Sequence, residues 1–309
     1  MNLMLYLTTV LIWGSSWLAA KLQLTQVPPV LSAGYRFCLA SAILLVLCIL
    51  TKRSLRLSRR DHFFLVLQGV TLFGLSYCLG YLAMLYLTSG LVAVVYSTIL
   101  MFNILNLKLF MGQPVARRAL IGGIIGLIGI GIIFWNDFTD FTTTDGIIGL
   151  SLSFGGAYFA SLGNVVGSRN ADAGIPVTQA NFFAMAYGGL LNLIIHFGCG
   201  GVLTMDWSPG YLGPLFFLII FGSVLAFGCY MSLIGRIGAD YAAYATMLMP
   251  VLALALSTFF EDFQWTLGAA TGVCLVAAGN IVILTPARML SRLVLLLKTT
   301  AQKPMTIDQ

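Results

Sequence analysis

The sequence predicts an all-α integral membrane protein: ten transmembrane helices as two inverted five-helix repeats around a central cavity. Three observations lead there. Hydrophobic residues make up 59% of the chain and charged residues only 8%, with a mean hydropathy of +0.97; a soluble domain carries about 25% charged residues to keep its surface wet. The apolar residues are gathered into runs of about 18 or more, each long enough to cross about 30 Å of hydrocarbon as a helix. Fourteen of the sixteen Lys and Arg fall on one side once the crossings are counted.

Only helices and closed barrels satisfy their backbone in lipid, and a barrel calls for alternating segments of about ten residues, not continuous Leu/Ile/Phe/Gly blocks. The first span, about 3–22, has no basic stretch ahead of it and is one of many similar segments. It therefore reads as a true span and not a cleaved signal peptide, Ala19-Ala20 being a weak imitation of a cleavage site. Pro28-Pro29 separates it from the second, about 31–50, which stops at the cluster Lys52 to Arg60. The third and fourth cover about 62–86 and 90–110, the latter ending at Gly112 and Pro114. Arg117-Arg118 opens the fifth, about 118–136, and the acidic stretch Asp137 to Asp145 closes it. The second half repeats the plan, with spans at about 146–166, 179–197, 211–234, 240–259 and 265–285.

An even number of crossings puts both termini on one side. Lys52, Arg53, Arg56, Arg59, Arg60, Lys108, Arg117, Arg118, Arg169, Arg236, Arg288, Arg292, Lys298 and Lys303 then share that side, while Asp137, Asp140, Asp145, Asp206, Glu261 and Asp262 share the other. By the positive-inside rule both termini are cytoplasmic, in a cell inner (plasma) membrane. The net charge of +6 reports orientation and not nucleic-acid binding. Trp135, Trp207, Tyr211 and Trp265 fall at the opposite boundary, where amphipathic rings anchor. The basic tail, residues 287–309, has Leu290, Leu293, Val294 and Leu297 at helical spacing and reads as an anchor on the cytoplasmic leaflet. Cys38, Cys48, Cys78, Cys199, Cys229 and Cys274 lie in or against apolar runs and read as small buried hydrophobes.

The acidic stretch divides the chain into halves of five spans. A gapless shift of 149 residues pairs Tyr81 with Tyr230, Ala93 with Ala242, Phe110 with Phe259 and Gly123 with Gly272. Five is odd, so a second copy of the same fold enters the membrane upside down, and a solute site is expected near the midplane between the copies.

The stretch Leu11-Ile12-Trp13-Gly14-Ser15-Ser16-Trp17 with Lys21 and Arg36 resembles the drug/metabolite transporter superfamily, specifically its EamA-type members. Met249-Pro250-Val251 through Phe260-Glu261-Asp262 to Gly268, Gly272 and Gly279 resembles the second EamA repeat. The resemblance implies repeats at residues 1–136 and 146–286, a central cavity, and transport of metabolites such as amino acids, often outward. The first repeat departs from the pattern. Where the family often has a Pro in the fourth span and a Glu near its end, this chain has Ile99-Leu100-Met101 and Gly112-Gln113.

Arg36, about 9 Å into the second span, costs several kcal/mol unless it meets water, a partner or a ligand. It reads as a carboxylate-binding group on the solute path, or as a structural Arg on helix-end carbonyls. Lys21 reads as a second solute contact or as a snorkelling interface residue, and a pair with Glu261 or Asp262 across the outer mouth is a further expectation. Trp13, Trp17, Tyr77, Tyr81, Tyr96, Tyr158 and Tyr230 offer rings with one polar tip to an amphipathic solute, with Tyr77 and Tyr81 four apart on one helix face. Each also fits ordinary packing. Ser16 and Asn164, like Asn103, Asn106, Asn192 and Asn280, touch solute or bond between helices. Pro250 removes a backbone bond and reads as a hinge or a passive kink. Gly122/Gly126 and Gly268/Gly272 read as close-packing surfaces, not a nucleotide loop.

No Asp or Glu lies at mid-membrane depth, His196 is near the outer end of its span, and His62 is at a loop edge and reads as solvated. The sequence carries no spaced metal cluster and no Ser-His-Asp set, so neither an enzyme nor a cofactor is expected. The partners expected are a small-molecule solute and the lipid bilayer, with the chain a monomer or weak homo-oligomer. The function read from the sequence is a secondary transporter of small amphipathic carboxylates, amino acids first, working by alternating access as an exporter. A passive channel and, further off, an intramembrane enzyme are the alternatives.

Overall fold

The computed structural model describes residues 2–112, 114–115, 117–135, 144–230 and 244–285. The expected tail at 287–309, together with Asp137, Asp140 and Arg236, lies outside the described residues. Every regular element described is helical. We number them α1 (Asn2–Leu22), α2 (Pro29–Leu50), α3 (Arg59–Ala83), α4 (Ser89–Met111), α5 (Arg117–Ile133), α6 (Asp145–Asp172), α7 (Val177–Gly198), α8 (Pro209–Tyr230), α9 (Tyr244–Phe260) and α10 (Leu267–Leu284). Seven of them, α1 to α4 and α6 to α8, are long and apolar enough to cross a membrane. The apolar part of α9 and that of α10 are shorter.

The helix ends follow local chemistry. Pro29 opens α2, Ser58 Oγ accepts from Asp61 N–H at 3.1 Å to cap α3, and Thr88 and Thr266 cap α4 and α10. Gly112 closes α4 in the left-handed conformation at φ +68°, which a side chain would strain.

Two helices change pitch inside the bundle. A π-helical stretch runs over Gly69–Leu75 in α3 and another over Leu218–Leu225 in α8, beginning 149 residues apart (218 less 69). Widening the turn takes carbonyls away from their usual donors, and side chains from other helices replace them. Asn192 Nδ2 donates to the Phe73 carbonyl at 3.1 Å and Trp13 Nε1 to the Gly222 carbonyl at 3.1 Å. α4 breaks at Ser97-Thr98, where Thr98 N–H bonds back three residues to Val95 O and Leu100 N–H to Ser97 O.

Glycine sets how closely the helices meet. In α5 and α10 a Cβ on Gly122 would sit 2.5 Å from the Gly279 carbonyl, and one on Gly272 would sit 2.5 Å from the Gly129 carbonyl. Numbers rise along α5 as they fall along α10, so the pair is antiparallel. The close-packing surfaces expected from Gly122 and Gly272 are present. α2 and α7 also run antiparallel: Gly34 packs on Leu193, and Gly189 on the Cys38 amide. Without a hydrophobic force between helices in lipid, this close approach is the main source of association.

Several expectations are corrected. Tyr211 is not a boundary anchor: it is fully buried, its hydroxyl 3.0 Å from Ser32 Oγ, whereas Trp135, Trp207 and Trp265 are exposed. His62 is not simply solvated, since its Nδ1 lies 2.9 Å from the Tyr187 hydroxyl and its ring packs on Phe183. Cys48 and Cys78 are buried, but Cys199 and Cys274 are exposed.

Candidate functional site

Arg36 is 3% exposed and reaches from α2 toward α8. Its Nε donates to Ser223 Oγ at 3.3 Å, and its guanidinium carbon stands 4.9 Å from the Tyr77 ring centre and 5.1 Å from that of Phe37. The guanidinium also faces the Tyr81 hydroxyl and the Gly222 backbone, beside Ser16. The starts of α2 and α8 lie at one end of the bundle, tied by Thr25 Oγ1 donating to Asp206 Oδ2 at 2.9 Å and Tyr35 OH donating to Thr204 O at 2.8 Å. Counted from that end, Arg36 is about 10 Å along α2 and Ser223 about 21 Å along α8, so the guanidinium sits at roughly mid-depth. Arg169 and Asp61, 3.3 Å apart at the other end, form the ion pair found among the described residues. Arg36 therefore has no carboxylate within ion-pair distance among those residues, and besides Ser223 its guanidinium donors meet the Tyr81 hydroxyl.

Aromatic side chains enclose this centre. Trp13 meets Phe227 and Tyr230 with ring centres 5.1 and 5.2 Å apart, and Phe37 meets Tyr77 at 4.5 Å. Trp17 meets Tyr96 at 4.8 Å, and the Tyr96 hydroxyl slots against Gly80 to donate to Ser76 O at 2.6 Å. Tyr81 is buried and donates to Gln23 Oε1 at 2.8 Å, while Gln23 Nε2 is buried without a hydrogen-bond partner among the described residues. Of the residues singled out in the sequence, Trp13, Ser16, Arg36, Tyr77, Tyr81 and Tyr230 thus converge from α1, α2, α3 and α8.

Toward the same end as Gln23, the bundle is fastened. Glu261, just past α9, accepts from Ser89 N–H at 3.0 and 3.1 Å, from Ser89 Oγ at 2.5 Å and from Ser257 Oγ; Ser257 Oγ in turn accepts from Gly90 N–H at 2.7 Å. Gly90 has no room for a Cβ, which would fall 2.7 Å from the Leu254 Cα. Lys21 Nζ donates to Met84 O and, at 3.1 Å, to Leu87 O. The expected Lys21–Glu261 ion pair is not formed. The reason is that each charge finds the matching helix end first: the carboxylate takes the positive N-terminus of α4, the ammonium the carbonyls that finish α3.

Other candidates lie apart. Tyr158 is 39% exposed and meets Phe102 at 5.5 Å. Asn164 is exposed, donates to Asn103 Oδ1 at 3.3 Å and lines, with Leu107, Val165 and Ser168, a cavity of about 70 Å³ between α4 and α6. Pro250 is buried inside α9. Asn106, donating to Ser161 Oγ at 2.9 Å, and Asn192 act as interhelical ties, as expected of amides in a bundle. Sequence reading missed Gln23, Ser89, Ser223 and Ser257. None carries a formal charge, and Ser and Gln are too common in turns and helices to stand out; the one available signal for Ser257 is its place one turn before Glu261.

The EamA-like transporter family model matches residues 1–135 and again residues 147–285. Among curated proteins, an uncharacterized transporter of Bacillus subtilis (strain 168), YvbV, is 26% identical over 289 residues, 90% of each chain. An uncharacterized inner membrane transporter of Escherichia coli (strain K12), YedA, is 29% identical over 250 residues, covering 80% of this chain and 79% of its own. A protein crystal structure superimposes with a TM-score of 0.65 over 91% of this chain and 96% of the other, at 17% identity, a likeness of fold alone. With apolar helices throughout and two matches that leave only short stretches uncovered, this multi-pass membrane protein belongs to the EamA-like transporter family.

Proposed function

We propose that this transporter carries small amphipathic carboxylates, amino acids first among them, outward across a cell inner membrane by alternating access around Arg36. One observation carries the reading: a buried guanidinium at roughly mid-depth, without a carboxylate partner among the described residues, on a platform of Tyr77 and Phe37. Leaving a buried cation uncompensated costs several kcal/mol, and a carboxylate matches the planar fork of donors. Trp13, Phe227 and Tyr230 supply apolar area for the rest of the solute.

Alternating access is read from an inverted repeat of two five-helix units. Its support is that helices 149 residues apart pack against each other antiparallel: α2 on α7 and α5 on α10. α1 lies on α8 as α6 lies on α3, and the matching carbonyls of Gly222 and Phe73 are both taken by side chains, though from unmatched helices, Trp13 on α1 and Asn192 on α7. A two-fold axis in the membrane plane would produce that pattern. Under this reading the fold has ten crossings, both termini lie on the cytoplasmic, basic side, and the Glu261 latch shuts the outer mouth.

The test is solute counterflow in proteoliposomes holding the full chain, with a panel of neutral and aromatic amino acids, their amides and their decarboxylated amines. Saturable exchange of the carboxylates, lost in Arg36→Gln, is expected. Equal flux of acids, amides and amines, or an Arg36→Gln variant matching the parent on every solute, would sink the assignment.

A further inference from the structure

The break in α4 leaves a cavity of about 10 Å³ between that helix and the α5–α10 pair, walled by Ser97, Thr98 and Met101, by Gly122 and Gly126, and by Asn280. That is room for one guest the size of a water molecule. Ile130, Val276 and Ile283 complete an apolar wall, and three polar side chains face the space beside it. Ser97 Oγ donates to Val94 O at 2.7 Å and Thr98 Oγ1 to Val95 O at 2.7 Å. Each hydroxyl proton is thereby used inside α4, leaving the oxygen lone pairs for something else. Leu100 N–H bonds to Ser97 O, so the Tyr96 carbonyl lacks its usual donor four residues on. Asn280 is 7% exposed, lines the cavity, and makes no hydrogen bond among the described residues.

We propose that this cavity binds one small monovalent cation of the sodium class, held by Ser97 Oγ, Thr98 Oγ1 and the amide oxygen of Asn280. The oxygens offered are neutral, and no group of three or more His, Cys, Asp or Glu among the described residues is placed to hold a metal ion, which suits a monovalent rather than a divalent guest. Carbonyls and hydroxyls at an interrupted membrane helix are a general way to replace the water shell of such an ion. The 149-residue counterpart of Asn280 is Gly131, which has no side chain to offer as a ligand.

The experiment follows thermal unfolding of the purified full chain in detergent, without solute. NaCl or KCl replaces choline chloride at constant ionic strength. A saturable rise in the unfolding midpoint is expected with a small cation over choline. Asn280→Asp, which adds a charge to the ligand set, should lower the half-saturating concentration about tenfold, and Thr98→Val should raise it by a similar factor. An identical midpoint in all three salts would mean that the cavity holds water only and would overturn the proposal. So would an Asn280→Asp protein that unfolds cooperatively yet binds no tighter than the parent. Because no solute enters the measurement, either result leaves the Arg36 reading untouched.

Discussion

Arg36 and Met185 stand 149 residues apart, at matching places in α2 and α7, both buried at the same helix contact. Their surroundings share a skeleton. Each half has a π-helical stretch at the same position, a carbonyl there taken by a side chain from another helix, and glycines where backbones touch. The chemistry is not shared. Where the first half has Arg36, Lys21 and Tyr77, the second has Met185, Asn170 and Ala226, and where the second has Pro250 and Glu261, the first has Met101 and Gly112. Close packing tolerates errors of a few tenths of an ångström and so constrains both halves. A second buried cation beside the first would add several kcal/mol of desolvation and repulsion, so one half carries the charge.

The largest test of that asymmetry is at the centre. Arg36→Gln should cut exchange of a carboxylate solute roughly a hundredfold or more, the cost of removing one side of a buried charge pair. Counterflow restored by adding Met185→Arg would break the comparison, because it would make the halves interchangeable. At the fastened end, Ser89→Cys with Ser257→Cys in a background without the native cysteines places two sulfurs where oxygens now stand 3.2 Å apart. Oxidation should reduce flux to background and a reductant should restore it; full flux with the bond formed would mean that this end never opens.

Smaller effects probe the shared skeleton. Gly272→Leu forces a side chain into the Gly129 backbone and should cost about 1–3 kcal/mol of stability, read as a lower unfolding midpoint. Gly131→Ala, where nothing lies within 4 Å of the added carbon, should be neutral or stabilising. Tyr81→Phe removes the donor to Gln23 and should cost about 1 kcal/mol. The smallest effect is at Asp206. Ser208 N–H at 2.8 Å, the Ser208 side chain and Thr25 hold its carboxyl below the usual carboxylate range. A lowered value means that the tether is present above the ordinary carboxylate range and fades as pH falls through the lowered one. Asp206→Asn should therefore lower stability slightly at neutral pH and flatten the acid limb of the stability profile, the two proteins converging as pH falls.

How far the site was legible follows from what each signal measures. Arg36 stood out because a charge inside an apolar run has no cheap explanation, and the structure indeed surrounds it with chosen neighbours. Lys21 and Glu261 stood out for the same reason, yet each went to a helix end and not to the other, since helix-end partial charges do not appear in a residue list. Tyr211 sits at a span boundary by count but faces inward, a matter of rotation about α8 that its surroundings in the chain do not encode. Ser223 and Gln23 carry no charge and follow no rare pattern, so nothing marked them.

By itself the sequence determined the membrane class, the positions of the helical stretches and the split of basic from acidic loops. Hydropathy and charge are sums over neighbouring residues and can be read along the chain. Only the tertiary structure decided which polar groups meet. Arg36 finds Ser223 from 187 residues away and Ser89 finds Glu261 from 172. A bond near 3 Å depends on the depth and rotation of two separate helices, and glycine contacts between distant segments set both.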